Sequence, residues 1–147
     1  MPYLTIDTHS PVLVARRVGV ADAPSVTSML RWVGDHLSAS DRKLSFVYDA
    51  GETPGGLPDA PARRAGGEWL GRNQTLLRGK CAGLDFAFVS PVSRGALTAV
   101  FWIAHPPIPW AIHASLRLAI EASLSRLGEP PERAIEIVRD LGRRPSR

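Results

Sequence analysis

The chain has 147 residues, 44% of them hydrophobic, and a formal net charge of +4. This length favours a single domain with a substantial core, and the hydrophobic fraction excludes wholesale disorder. No apolar run approaches the roughly 20 residues of a membrane-spanning helix, and the first residues lack the pattern of a secretory signal. The sequence therefore predicts a cytoplasmic protein without a membrane span.

The charged and sulfur-containing residues narrow the chemistry further. Lys43 and Lys80 are the only lysines, so most of the positive charge is carried by arginines scattered along the chain. No basic helix is interleaved with aromatic residues, which argues against nucleic acid as a partner. The four histidines and the single Cys81 lack metal-ligand spacing, and no nucleotide fingerprint occurs, so we expect neither metal nor cofactor. Cys81 is interpreted as a small buried residue, with a reactive thiol as the alternative.

The first third of the chain predicts a β-hairpin followed by an amphipathic helix. Tyr3–Thr8 and Val12–Val20 are typical of strands, and they are joined around a Ser-Pro pair. A helix is predicted from an N-cap at Asp22 to about Ser38, because apolar residues recur there at helical spacing. Its buried stripe is predicted to contain Val26, Met29, Leu30, Val33 and Leu37.

The middle of the chain predicts a central strand, a loop and a second helix. Leu44–Tyr48 is short, apolar and aromatic, as in a strand buried on both faces. Gly51–Pro61 is loop-like and follows the carboxyl end of that strand, where ligand sites of open α/β sheets gather. A helix is predicted from about Asp59 to Cys81, with Gly83 as its C-cap. Its glycines are interpreted as permitting close packing against a sheet; they are Gly66, Gly67 and Gly71.

The last third predicts two more strands and two more helices. Leu84–Val89 is a buried strand, Ser90–Gly95 is a turn or a one-turn helix, and Ala99–Ile103 is a further strand with Trp102 in the core. After a proline-rich exit, helices are predicted over Trp110–Leu127 and Glu132–Leu141. The predicted architecture is one α/β domain, with a mixed, mostly parallel sheet, an opening hairpin and about four packed helices.

Several segments in this order resemble the STAS/SpoIIAA-like proteins, whose fold is that of the anti-sigma factor antagonists. They are VLVARRVGV before the first helix, FVYDA at the end of the central strand, W-x-x-x-N-x-x-L after Arg63, the SPVSRGALTAVFW block, and the Pro-x-Pro exit. The resemblance covers residues 3–127. Within the STAS-like proteins, the chain is most similar to a small group of the myxobacterial type. Residues 128–147 then form a C-terminal helical extension with a basic tail.

The resemblance implies a regulatory or scaffolding module that acts by docking to another protein, in bacterial signalling, and that also assembles as a homodimer. It implies no catalysis. In the antagonists a serine in an Asp-Ser pair at the start of the second helix is a phosphorylation switch. The present chain lacks that pair after Asp49, so Thr53 is the candidate regulatory phosphorylation site.

Five residues are candidates for contact with a partner. Trp32 and Trp110 are candidate interface anchors, with ordinary packing at the edge of the core as the alternative. Arg94 lies in a polar turn, where it can bind a carboxylate or phosphate, or anchor the turn against Asp49 or Glu68. Ile137 and Leu141 lie on the C-terminal extension, which is a candidate dimer or partner contact.

Two other functions stay open from the sequence. A carrier of a lipid or another apolar ligand, resembling Sec14-like proteins, needs a pocket of about 300 Å³ or more. A small enzyme would use Asp49, His105 or Arg94, and it needs these residues to converge in one cleft. No catalytic motif is evident, so protein docking is the function that the sequence favours.

Overall fold

The computed structural model of the chain describes residues 2–51 and 58–144. Within those residues the chain forms a five-stranded mixed sheet and six helices, which confirms the predicted α/β class. In chain order the elements are β1 (Tyr3–Ile6), β2 (Val12–Arg17), α1 (Ala23–Ala39), β3 (Leu44–Asp49), α2 (Ala60–Arg72), α3 (Gln74–Lys80), β4 (Cys81–Ala87), α4 (Pro91–Ala104), β5 (Trp110–His113), α5 (Leu116–Arg126) and α6 (Arg133–Arg143).

The strands lie side by side in the order of the chain, from β1 to β5. β1 and β2 form the predicted opening hairpin, with Tyr3 opposite Arg17, and every later pair of neighbours is parallel. Successive parallel strands are therefore added in one direction across the sheet. Because such crossovers are right-handed, their helices fall on the same face.

The two faces of the sheet carry separate sets of helices. Residues of α1, α2, α3 and α4 share one apolar cluster with the sheet, which we call the first face. Residues of α5 and α6 share the other cluster, on the second face. The central strand β3 is buried along its whole length, with Phe46 and Tyr48 on the first face and Val47 on the second. A strand covered on both sides was the prediction for this segment, and it is confirmed.

Four helices begin at a residue whose side chain caps the first turn. In each case a side-chain oxygen accepts a hydrogen bond from a backbone N–H three residues later, which is worth about 1 kcal/mol. The predicted cap of α1 is among them, and its predicted buried stripe is confirmed. The capping residues are Asp22, Asp59, Ser90 and Ser115.

The predicted helix over about Asp59–Cys81 is divided into α2 and α3. Asn73 ends α2, and its side-chain amide donates to the Trp69 carbonyl at 2.8 Å. The Asn73 backbone N–H donates to the same carbonyl at 3.1 Å, and α3 begins at the next residue. Gly83 was expected as a C-cap, and that is wrong, because it lies inside β4.

Two assignments near the C-terminal end of the sheet are also wrong. The segment predicted as the strand Ala99–Ile103 belongs to α4, which begins at the Ser90 cap and turns Leu97 and Phe101 inward. The helix predicted from Trp110 begins only at Leu116, because the first four residues form the edge strand β5. The four residues of β5 are all half-buried, so they lack the alternation of buried and exposed side chains that marks a strand.

The C-terminal helix packs against the second face of the sheet. Ala134, Ile137 and Leu141 are buried in α6, as the helical spacing predicted. Arg16 of β2 donates from Nη1 to the Leu141 carbonyl at 2.7 Å and so joins the end of α6 to the sheet. The predicted extension is therefore an integral part of the core.

Replacement of Leu141 by alanine tests this role of α6. We expect the free energy of unfolding to fall by about 2–5 kcal/mol, because Leu141 is fully buried and its removal leaves a cavity. Ile135→Ala on the same helix is the control, since Ile135 is 54% exposed and its loss should cost about 0.5 kcal/mol or less. Urea unfolding followed by circular dichroism measures both; equal effects would contradict the packing of α6.

Candidate functional site

An apolar cavity of about 130 Å³ lies on the first face of the sheet. Its walls come from α1, α2, α3 and α4, and its floor comes from the strands. Exposed residues of α2 and α4 also line it, among them Arg63, Gly67 and Ala104, so the cavity opens to the surface between these two helices.

Two helical glycines explain why the gap is not filled. A Cβ added at Gly67 would have no described neighbour within 4 Å, and one at Gly66 would meet only Val26 Cγ1 at 4.0 Å. Both residues line the cavity. Gly71 is likewise surrounded by open space, so the expected role of these glycines in close packing is wrong. Gly34 has that role instead, because its Cβ would approach the Trp69 ring at 3.3 Å.

The sheet side of the cavity is aromatic and carries one polar pair. Phe86 and Phe101 are in ring contact at 5.0 Å, and Tyr48 is stacked on Phe88 at 5.8 Å. The Tyr3 and Tyr48 hydroxyls are 2.9 Å apart and bond to each other, with both residues in the cavity lining. The pair therefore places two hydroxyl groups in a mainly apolar lining, and the charged Arg17 lies close to both of them.

Burial determines the ionisation of this pair. It raises the pKa of Tyr3 above its ordinary value of 10.0, and it raises the pKa of Tyr48 further. Both hydroxyls are therefore protonated at neutral pH. A hydrogen bond between two hydroxyls uses one of their two hydrogens, so the pair keeps one donor that has no acceptor among the described residues.

The helix α4 separates the cavity from solvent. Its inner residues Leu97, Val100 and Phe101 line the cavity. Its opposite side is also apolar: Val92, Trp102 and Ile103 are 82%, 69% and 83% exposed. We define the α4 outer face as these three together with the exposed small residues between them and the preceding Val89; the full set is Val89, Val92, Gly95, Ala96, Ala99, Trp102 and Ile103.

The polar side chains of α4 do not interrupt its outer face. Ser93 is buried, and the Thr98 hydroxyl donates to the Arg94 carbonyl at 2.8 Å. Arg94 folds back and donates from Nη1 to the Phe88 and Val89 carbonyls, each at 2.8 Å. Arg94 therefore anchors the turn, as one of its two predicted roles, but the predicted partners Asp49 and Glu68 are wrong. The guanidinium bonds backbone carbonyls there.

The predicted tryptophan anchors are half-buried and packed against the core of the first face. Trp32 lies against the His36 ring at 4.7 Å, and Trp110 contacts Phe101 at 5.0 Å in an edge-on arrangement. Trp102 was expected in the core, and that is wrong, because it is the exposed tryptophan of the α4 outer face. Two features of the sequence could have identified this segment as a helix. Ser90-Pro91 is a helix start, and Leu97 and Phe101 are one helical turn apart.

The other predicted partner contacts lie elsewhere. Ile137 and Leu141 are 2% and 0% exposed inside the chain's own second cluster, so neither is accessible on this surface. Thr53 lies outside the described residues, and its phosphorylation stays a prediction.

The residues considered for an enzyme have separate structural partners. Asp49 accepts hydrogen bonds from Arg16 Nε at 3.0 Å and from the Gly51 backbone at 2.9 Å. His105 is an exposed residue that ends α4 in a left-handed conformation with φ of 46°. No hydrogen bond joins Asp49, His105 and Arg94 within the described ranges.

A buried charge cluster on the second face was not predicted. The Asp85 side chain is fully buried in β4; it is 2.9 Å from His113 Nε2 and also accepts from Arg126 Nη1. Gly83 leaves room for Arg126, because a Cβ there would lie 2.6 Å from Arg126 Cδ. The cluster joins β4, β5 and α5, and its side chains are occupied with one another.

No family model, curated protein or solved structure matches this chain. The STAS-like resemblance therefore stays a prediction beyond the α/β class itself. Among the described residues, no helix combines the length and the apolar character needed to cross a bilayer.

The contact between Gly83 and Arg126 can be tested by a double-mutant cycle. We expect Gly83→Ala to lower the free energy of unfolding by about 1–3 kcal/mol, because the new methyl group displaces Arg126 from Asp85. In an Arg126→Ala background the same change should cost little. Chemical denaturation of the four proteins measures the coupling, and additive effects would contradict this arrangement.

The tyrosine pair predicts a loss of stability in alkaline solution. The folded chain holds these protons more tightly than the unfolded chain, so their stabilisation is complete below pH 10 and is lost as the pH rises further. The Tyr3→Phe/Tyr48→Phe variant should show a shallower decline above pH 10, by up to about 1.4 kcal/mol per pH unit for each tyrosine. Unfolding in urea at several pH values measures this.

Cys81 must be controlled in that experiment, since burial raises the pKa of its thiol from 9.0 to about 11. The comparison is therefore made in a Cys81→Ala background, where the thiol no longer titrates. Equal alkaline slopes with and without the two tyrosine hydroxyls would show that the pair is not shielded as described.

Proposed function

We propose that this chain is a non-catalytic docking module and that the α4 outer face is its docking surface. The observation that carries the proposal is that every exposed residue of α4 is apolar or glycine, including Val92, Trp102 and Ile103. Contiguous exposed apolar surface of this kind marks interaction sites in soluble proteins. A helix that is apolar on all sides is expected inside a larger packed assembly.

The partner that we propose is a second copy of this chain. The α4 outer face contains no charged side chain, and interfaces between identical subunits are more apolar than transient ones. Its shape also fits a two-fold contact. When two α4 helices cross antiparallel, Trp102 and Ile103 of one copy lie over the small residues Gly95, Ala96 and Ala99 of the other, and the same contact repeats by symmetry.

The neighbouring edge of the sheet supports the same arrangement. α4 packs over β5, and β5 is the last strand of the sheet. A helix of 14 residues is about 21 Å long, so on its own it provides a small interface. The half-buried β5 adds surface on the same side of the molecule. Docking through this edge is consistent with the regulatory or scaffolding role that the STAS-like resemblance implies.

The interactions of the polar side chains support the absence of catalysis in this proposal. Asp49, Arg94 and the Asp85 cluster hold strands, turns and helices together. The alternative of a lipid carrier has weaker support, because about 130 Å³ is below the roughly 300 Å³ that a ligand pocket for such molecules needs.

Replacement of the exposed tryptophan tests the docking surface. We expect the wild-type chain to have twice its 15.9 kDa mass in light scattering after size-exclusion chromatography. Trp102→Glu should weaken the dimer at least about 30-fold, because it places a charge at an interface hot spot of 2 kcal/mol or more. Sedimentation velocity over a concentration series measures the dissociation constants.

The matched control is Ile135→Glu, which puts the same charge on an exposed apolar residue of α6, on the second face. It should leave the dimer unchanged, and circular dichroism should show both variants folded. A wild-type chain that stays monomeric at every concentration would overturn the second copy as partner. A dimer that survives Trp102→Glu would show that the α4 outer face is not the interface.

A further inference from the structure

We propose that the cavity on the first face binds an uncharged, single-ring compound that carries one hydroxyl or carbonyl group. This inference goes beyond docking and does not depend on it, since the cavity lies on the inner side of α4 and the docking surface on the outer side. Three observations on the described residues support it: the size of the cavity, the composition of its walls and the tyrosine pair.

Size restricts the ligand to about one ring. An apolar cavity of about 150 Å³ accommodates benzene, whereas drug-sized ligands and acyl chains need several times that volume. The present cavity of about 130 Å³ is slightly smaller, so on the same scale it takes roughly six non-hydrogen atoms, which is one ring. Its opening beside Arg63 and Gly67 gives such a molecule a path from solvent.

The walls favour an aromatic and uncharged molecule. Phe86, Phe101 and Trp69 line the cavity and offer ring edges and faces, for which aromatic rings have preferred geometries. A charged group would lose its hydration in this lining, which costs far more than burial of a neutral polar group. These inner walls therefore select against carboxylates and amines, and the charged Arg63 lines the cavity at its opening.

The tyrosine pair selects for one polar atom. Because one of the two hydroxyl hydrogens is used between Tyr3 and Tyr48, the other can donate to a ligand oxygen. A ligand hydroxyl or carbonyl that meets this donor recovers the hydrogen bond it loses on leaving water. A cavity with apolar walls and a single placed polar group has the usual design of a small-molecule site.

The glycines of α2 indicate that the space is retained at a cost. Glycine inside a helix is less favourable than alanine, and at Gly66 and Gly67 no close packing compensates for this. Larger side chains there would fill the mouth of the cavity. An open cavity is therefore the structural consequence of having glycine at both positions.

Toluene and phenol are the probes for this proposal, because they have equal numbers of heavy atoms and differ in one methyl or hydroxyl group. We expect the wild-type chain to bind both in isothermal titration calorimetry, with dissociation constants within about tenfold of each other. The double variant Tyr3→Phe/Tyr48→Phe should keep toluene binding and lose at least tenfold in affinity for phenol. Each single variant leaves one hydroxyl with a spare hydrogen and should keep phenol binding.

Substitutions at the glycines of α2 test whether the probes bind inside the cavity. Gly66→Leu should abolish the binding of both probes, since its side chain enters the cavity mouth. Gly71→Leu is the matched control, because it is on the same helix, has open space around it and does not line the cavity. It should bind like the wild type, and both variants are checked for folding by circular dichroism.

Three outcomes overturn the proposal. Failure of the wild-type chain to bind either probe shows that the cavity is not a ligand site. Unchanged binding in Gly66→Leu shows that the probes bind elsewhere. Phenol affinity that is unaffected in the double tyrosine variant removes the selection for a polar atom. None of these results depends on the oligomeric state, so the docking proposal is tested separately.

Discussion

A parallel sheet whose strands are apolar on both faces has to be covered on both sides, and the rest of this structure follows from that constraint. β2, β3, β4 and β5 are added in one direction, so right-handed crossovers place α1, α2, α3 and α4 on the first face. Only the chain after β5 is left to cover the second face. This explains why α5 and α6 are both buried against it, and why the C-terminal helix is core rather than appendage.

The two faces are covered with different completeness. On the second face, α5 and α6 pack closely, and the buried Asp85 has partners from β5 and α5. On the first face, α1 and α2 approach each other at Gly34, but α4 stays apart from α2 and a cavity remains. The Asp85 cluster of the second face is therefore used by the fold, whereas the buried Ser123 hydroxyl has no hydrogen-bond partner among the described residues. The first face retains an open volume and a hydroxyl hydrogen that the fold does not use.

The elements with a one-sided apolar pattern could be predicted from the sequence. The stripe from Val26 to Leu37 defined α1, and the inward residues Ala134, Ile137 and Leu141 defined α6. α4 could not be recognised in the same way, because a helix that is apolar on both sides loses the contrast that marks helical periodicity. Its segment from Ala96 to Ala104 therefore has the composition of a buried strand.

The candidate site was beyond reach of the sequence for a related reason. A hydrophobicity pattern identifies apolar residues but does not say whether another element covers them, so Trp102 was placed in the core. The same pattern gave Ile137 and Leu141 two incompatible roles, inward packing and partner contact, and only the position of α6 on the sheet separates them. A cavity depends on volumes left between distant elements, which no local pattern records.

α4 takes part in both the proposed ligand site and the proposed docking surface, and thermodynamics limits how binding at one can affect binding at the other. Leu97 and Phe101 of α4 line the cavity, while Trp102 and Ile103 point away from it. A ligand changes the affinity of the outer face only if it binds two positions of α4 with different affinity, and the effect is then reciprocal. α4 packs on β4 through Phe101 and on β5 at the edge of the sheet. Any coupling between the cavity and the docking surface has to pass through a displacement of this helix.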